Sequence, residues 1–165
     1  MNKLDIRAAG IDDRDVLAGL NMEVQRLHFA NRPDVFKPAC LDGIAGWLAQ
    51  LLMNPAASLW MAEDDGVAVG YAVVMVRNTP ENPFCVARTW WELDQIGVSA
   101  GHRRVGVCRA LVRKVLSEAR KQKVGEVELN SWAFNQDALE AFRRLGFVAK
   151  TTRYELRVDP GGASA

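Results

Sequence analysis

The segment Leu93–Arg113 constrains the fold more than any other. It reads as a strand ending at Val98, a turn of Ser99-Ala100-Gly101-His102, and then Arg103-Arg104-Val105-Gly106-Val107-Cys108 opening a helix. From about Arg104 to Gln122, apolar Cys108, Leu111, Val112, Val115 and Ala119 recur at helical spacing. A strand feeding an amphipathic helix through a glycine turn commits the chain to an α/β layer, because the helix must bury its stripe on a sheet. The same junction makes an anion site. First-turn N–H groups lack carbonyl partners, and the helix dipole adds roughly half a positive charge there. Gly106 lets a phosphate approach the backbone without meeting a Cβ, and Arg103 and Arg104 add charged donors.

Two familiar phosphate loops do not fit. Gly101 and Gly106 have Walker A spacing, but Val107-Cys108 stand where Lys and Ser/Thr are needed. A dinucleotide fingerprint needs a third glycine in a Gly-x-Gly-x-x-Gly run, and none is present.

Around this segment the order predicted is β-α-α-β-β-β-α-β-α-β-β. Strand Leu4–Ala8 precedes a helix that Asp12-Asp13 start and that runs to about Ala30, with Val16, Leu17, Leu20, Val24 and Leu27 on one face. A second helix spans about Leu41–Met53. Ser58–Ala62 and Val67–Arg77, joined by Glu63-Asp64-Asp65-Gly66, read as a hairpin. Strands Arg88–Ser99 and Val124–Trp132, a short helix Gln136–Leu145, and a strand or hairpin over Gly146–Val158 complete a mixed α/β sheet. No Pro/Gly/Ser-rich boundary divides it, so residues 1–158 form one domain and 159–165 a frayed tail, as 165 residues suggest.

Composition excludes little by itself. Hydrophobic residues at 49% and charged ones at 25% describe a folded protein. A net charge of +1 supplies no argument for nucleic acid or an anionic membrane as partner, so any such site would have to be local, and no apolar run reaches the ~20 residues of a bilayer span. A polar N-terminus makes the cytoplasm the default compartment. The charge is unevenly spread, however: residues 102–123 carry +7 and the remainder −6. Cys40, Cys85 and Cys108 lack the spacing of a zinc site or disulfide framework, and His28 and His102 are isolated, so no metal is expected. Cys108 at a helix start invites a nucleophile reading, since that position lowers a thiol pKa. The five Trp serve either a pocket wall or the core.

Two motifs at a fixed separation then stand out. Arg103-x-x-Gly106-x-Cys108 follows the strand ending at Val98, and Asn135-x-x-Ala138-x-x-Ala141-Phe142-x-x-x-Gly146-Phe147 lies downstream. Together they resemble the pyrophosphate signature and the following helix of the GNAT superfamily of N-acetyltransferases, departing at Cys108, where the family has Gly or Ala. The resemblance implies the GNAT fold and acetyl-CoA as co-substrate. Its pantetheine would run beside Ile96, Gly97 and Val98, with Gly97 as the candidate bulge, and its pyrophosphate would lie on the amides of Arg104, Val105, Gly106, Val107 and Cys108. Arg103, Arg109, Asn135, Ala138 and Phe142 complete the implied cofactor set. A homodimer is compatible with the resemblance.

Acetyl transfer to an amine needs a base, an oxyanion donor and a proton for the departing thiolate. Alternation puts Glu92, Asp94, Ile96 and Val98 on one strand face. Glu92 lies eleven residues before Arg103, as the base does in histone-acetylating members of the family, so Glu92 is the first candidate base and Asp94 the second. Glu92 as a mere substrate-cation binder is the other reading. The Val98 backbone N–H is the implied oxyanion donor. The family's acid, a tyrosine, is replaced by Phe142; Tyr154 and Tyr71 are the remaining phenols, with Tyr154 the candidate acid and water the substitute. The loop His28–Lys37 would wall the acceptor cleft, and Asp34, Glu92 and Asp94 suggest a cationic amine. A non-catalytic acyl-CoA-binding or regulatory module is the competing class, with Phe142 its best support.

Overall fold

The computed structural model describes residues 4–158. Along them run β1 (Leu4–Ala8), α1 (Arg14–Asn31), α2 (Leu41–Leu52), β2 (Ala57–Asp64), β3 (Val67–Thr79), β4 (Arg88–Val98), α3 (Val107–Lys121), β5 (Val127–Leu129) and α4 (Gln136–Arg144), with single 3-10 turns at Ile11–Asp13 and Ala100–His102. The strands lie side by side in chain order, antiparallel from β1 to β4 and parallel between β4 and β5. That parallel step needs a crossover, which α3 supplies. The β2–β3 hairpin turns through Asp65 (φ 50°) and Gly66 (φ 77°), the paired left-handed geometry that matches strand twist. At the other end, Asp13 accepts from the Gly10 amide (2.7 Å) and from both terminal nitrogens of Arg7 (2.7 and 2.8 Å), tying the start of α1 to β1.

Each sheet face is covered. On one, Trp60, Val69, Ala72, Val74, Trp91 and Leu93 pack against Val107, Leu111, Val112, Val115 and Ala119 of α3. On the other, Leu59, Met61, Tyr71 and Val73 meet Leu17 and Ala18 of α1 and Leu48 of α2. Because both faces are dry, β3 is buried continuously from Val69 to Val74 rather than at alternate residues. Leu111 is fully buried at the centre of the α3 face, and truncation to Ala would cost about 2–5 kcal/mol.

The register of β4 changes halfway along. Val74 opposes Leu93 while Val73 opposes Gln95, so Asp94 is an inserted residue. Alternation expected to run unbroken from Glu92 to Val98 is therefore interrupted. Trp91 and Leu93 face α3 before the bulge, Ile96 and Val98 face it afterwards, and Glu92 shares the opposite face with Gln95 and Gly97. Gly97 is not the bulge residue. A Cβ on it would stand 2.4 Å from the Tyr71 ring and 3.1 Å from Val24, so its glycine answers to the close approach of β3 and α1.

β4 and β5 also part company. Pairing runs only from Trp91–Val127 to Leu93–Leu129, whereas pairing of β4 with β3 continues to Val98–Gly70. The edge of β4 from Asp94 onward is thus left without a ladder partner on the β5 side. β5 is shorter than the predicted Val124–Trp132.

The last two strands of the predicted order do not form among the described residues. Residues 147–158 have neither helix nor strand, although Tyr154, Leu156 and Val158 alternate as a strand would. These three side chains are 79–88% exposed, so no second layer covers them. A three-residue β5 offers little edge to extend, and long ion pairs, Lys150 to Glu126 and Glu128, Glu155 to Arg32 and Arg157 to Asp34, hold the segment instead. The tail expected over 159–165 lies outside the described residues.

Candidate active site

The turn after β4 is built by hydrogen bonds within it and to α1. The Ser99 amide donates to the Val69 carbonyl (2.9 Å), and Ser99 Oγ lies 2.9 Å from His102 Nδ1. Glu23 of α1 accepts from the Ala100 amide (3.0 Å) and from the Arg103 guanidinium (3.2 Å). Arg103 also donates to the Val98 carbonyl (3.3 Å), so it braces the turn on the strand it leaves.

Arg104 (φ 65°) and Gly106 (φ 101°) then adopt left-handed backbone, and Gly106 caps α3. Its carbonyl accepts from Ala110 (3.0 Å), the first i−4 bond, which leaves the amides of Val107, Cys108 and Arg109 as unpaired donors at the helix start. A Cβ on Gly106 would stand 3.3 Å from the Arg109 guanidinium, which folds over the cap. Free amides, a dipole end, and Arg104 and Arg109, neither paired with a carboxylate among the described residues, fit a pyrophosphate. From Arg109 a groove of about 740 Å³ continues past Val112, Arg113, Leu116 and Arg120 to Arg144 of α4 and to Leu145 just after it. The basic segment seen in the sequence lines it.

The open edge of β4 leads into this cradle. Since the Ser99 amide turns to β3, alternation sends the N–H groups of Val98 and Ile96 to the edge that β5 leaves open. The Val98 carbonyl points the same way, as its bond from Arg103 requires.

Glu92 and Asp94 are brought together by Arg77, a β3 residue that sequence reasoning missed. Arg77 Nε donates to Glu92, its Nη2 lies 3.5 Å from Asp94 Oδ1, and Asn130 Nδ2 donates to Glu92 Oε1 (2.9 Å). Arg77 opposes Trp90, two residues from Glu92, so a correct cross-strand register would have exposed the pair. Burial, and next the charge of Glu92, push the Asp94 carboxyl above its ordinary value, while Arg77 opposes them.

Other expected residues land elsewhere. Tyr154 is 88% exposed on the irregular segment. Tyr71 is fully buried, accepts from Asn21 Nδ2 (2.7 Å) and donates to Gln95 Oε1 (3.3 Å); burial pushes its phenol pKa upward. Cys108 is half-buried against the core, and desolvation raises its thiol pKa, which argues for a structural thiol and against an activated nucleophile. Asn135 accepts from the Ala138 amide (3.3 Å) and so caps α4, while Phe142 is 7% exposed and packs edge-on against Phe147. Asp34 is engaged by Arg32 and Arg157. His28 stacks on Phe36 (4.7 Å) beside Phe134, and burial lowers its imidazole pKa. On the α1–α2 side a cavity of about 300 Å³ is lined by Asn21, Gln25, Lys37, Ile44, Trp47 and Gln95, among others.

A split parallel strand pair ending on a helix-start anion cradle defines an acyl-CoA-type transferase fold. The chain belongs to the GNAT family of acetyltransferases, whose sequence profile matches residues 22–147. It is 30% identical over 115 residues to the probable N-acetyltransferase family 8 member 5 of Mus musculus, covering 70% of this chain and 48% of that protein. N-acetyltransferase family 8 member 2 of Rattus norvegicus gives 30% over 115 residues, 70% of this chain and 49% of that protein. The chain therefore spans about half the length of the curated relatives it matches. Among solved structures, the tetramutant of the BH1408 protein from Bacillus halodurans superposes with TM-score 0.87 at 22% identity, covering 93% of this chain and 99% of that one. Aminoglycoside N-acetyltransferase AAC(6')-Iy in complex with CoA gives 0.75 at 21%, with 97% of each chain covered. At these identities the structures speak for the fold alone. No described helix is long and apolar enough to cross a membrane.

Proposed function

We propose that this chain moves an acetyl group from acetyl-CoA directly to a primary amine in a ternary complex. The observation that carries the reading is the continuity of the open β4 edge with the unpaired amides of Val107, Cys108 and Arg109. Those amides, with Arg104 and Arg109, would hold the pyrophosphate, and the arginine groove beyond them the remaining nucleotide. CoA supplies the acetyl thioester. The Val98 N–H, facing the open edge, is the donor for the thioester oxygen as it gains charge.

Asp94 takes the proton that the amine nitrogen sheds as the N–C bond forms and the C–S bond breaks. This reverses the order suggested by spacing: Glu92 is held by Arg77 and Asn130, and Asp94 has only the longer Arg77 contact. Glu92 raises the affinity of Asp94 for that proton and fixes Arg77. With Phe142 in place of a phenol and Tyr154 exposed, water supplies the proton for the departing thiolate.

The same Phe142 favours one second reading, an acyl-CoA-binding module without turnover. Thiol release from acetyl-CoA with a panel of amines separates the two. Acceptor-dependent release supports transfer; tight binding of acetyl-CoA with no release by any amine supports the module.

A further inference from the structure

We infer that the amine acceptor also carries a carboxylate, and that the cavity between α1, α2 and β4 holds it through Lys37 and the paired carboxamides of Asn21 and Gln95. The inference rests on the acetyl-transfer reading above and names the substrate class of the same site.

Lys37 is the one charged side chain lining the cavity, and it has no ion-pair or hydrogen-bond partner among the described residues. Of the carboxylates that suggested a cationic acceptor, Asp34 is engaged by Arg32 and Arg157, Glu92 by Arg77, and Asp94 by the longer Arg77 contact, and none of the three lines the cavity. An unpaired ammonium on the wall of an otherwise uncharged cavity attracts an anion and repels a polycation.

The carboxamides add direction. Asn21, 1% exposed, spends both Nδ2 hydrogens, on the Tyr71 hydroxyl (2.7 Å) and on Gln95 Oε1 (2.6 Å). The Tyr71 hydroxyl donates to that same Oε1 (3.3 Å). Among the described residues Gln95 Nε2 and Asn21 Oδ1 are thereby left without a partner, one a donor group and the other an acceptor, on two residues that line the cavity. Turning both carboxamides over together exchanges which residue plays which part and keeps one of each. Their complement is a head group with an N–H and a carboxylate oxygen close together. The amine nitrogen meets the carboxamide oxygen, and the carboxylate meets the carboxamide nitrogen and Lys37. At the bulge Asp94 and Gln95 together oppose Val73, so an amine held at Gln95 sits beside the carboxyl that takes its proton. Ile44 and Trp47 leave an apolar wall for the rest of the acceptor.

The test compares kcat/KM for an apolar amino acid, such as leucine, with that for the amine lacking its carboxylate, isopentylamine, in the wild-type protein and in Lys37→Ala and Lys37→Arg. The expected result is a preference of tenfold or more for the amino acid, arising in KM. Lys37→Ala should reduce it to under threefold, and Lys37→Arg should restore it. A merely structural role for Lys37 would change both acceptors alike. Equal rates for the two acceptors, better turnover of a polycationic aminoglycoside than of the amino acid, or a preference unmoved in Lys37→Ala would overturn the inference while leaving acetyl transfer standing. No release with any amine would remove the acetyl-transfer reading and this inference with it.

Discussion

The Gly97 backbone lies against the ring of Tyr71, so closely that one added carbon would stand 2.4 Å from Tyr71 Cε1. Tyr71 is wholly buried and fixed by Asn21, so the ring cannot retreat without opening the contact between α1 and β3. Gly97→Ala is expected to cost about 1–3 kcal/mol of unfolding free energy, the range for forcing an extra carbon into packed surroundings. Urea denaturation followed by Trp fluorescence measures it. A midpoint equal to that of the wild type would mean the contact is looser than the geometry says.

Gly106 serves a different need. Its φ of 101° is unfavourable for any side chain, and the Arg109 guanidinium occupies the space beside it. Gly106→Ala should weaken acetyl-CoA binding by about tenfold, equivalent to about 1.4 kcal/mol, with a smaller effect on the KM of the amine. Titration calorimetry with acetyl-CoA reads the change directly, and undiminished affinity would remove the cradle from its proposed place.

For the carboxylates the expectation is a pH profile. If Asp94 receives the proton, kcat/KM falls on the acid side with a midpoint above the ordinary Asp value of about 3.9, because its pKa is raised. Asp94→Asn should lower kcat by about 10²–10⁴. Glu92→Gln removes the charge that, after burial, raises Asp94, so the acid limb should move to lower pH while a rate remains. A limb that stays in place in Glu92→Gln, or a larger loss there than in Asp94→Asn, would return the base to Glu92.

Much of this is legible in the amino-acid sequence, and the exceptions have physical causes. The strand, glycine turn and helix at Leu93–Arg113 were readable because helical spacing and a glycine cap are local properties, and α3 begins only three residues later than its pattern suggested. Arg77 was not readable, because its meeting with Glu92 depends on the β3–β4 register rather than on neighbours in sequence. Asp94 as the bulge carries no residue signature, and Gly97 drew attention for a feature it does not own. Tyr154, Leu156 and Val158 have the alternation of a strand, but alternation describes a ribbon's faces and says nothing of an edge to pair with.

The Arg7–Asp13 pair gives a stability prediction with a definite sign. Hydrogen bonds from Arg7 are the main cause holding Asp13 below its ordinary pKa, so its contribution is complete above the unfolded value of about 4 and is lost as pH falls through the folded one. Arg7 is 41% exposed, which limits the pair to about 1 kcal/mol after screening. Asp13→Asn should be destabilised by that amount at pH 7 and should match the wild type near pH 2. A difference that persists unchanged in acid would assign the loss to packing instead.

Exposure of Tyr154 makes a simple control for the missing acid. Tyr154→Phe is expected to change kcat by less than about twofold, since surface changes of this kind leave the rest of the fold alone. A tenfold fall would show that the late segment closes over the reacting atoms during turnover.

The insertion at Asp94 means that β4 keeps time with its neighbours only through a count of residues. Deleting Asp94 would only heal the ladder, whereas straightening the bulge with every residue kept would rotate everything after it by half a turn of the pleat. Ile96 and Val98 would then swing toward α1, and Gly97 would leave a gap against α3, so the distal half of the strand would be packed inside out while every residue type stayed the same.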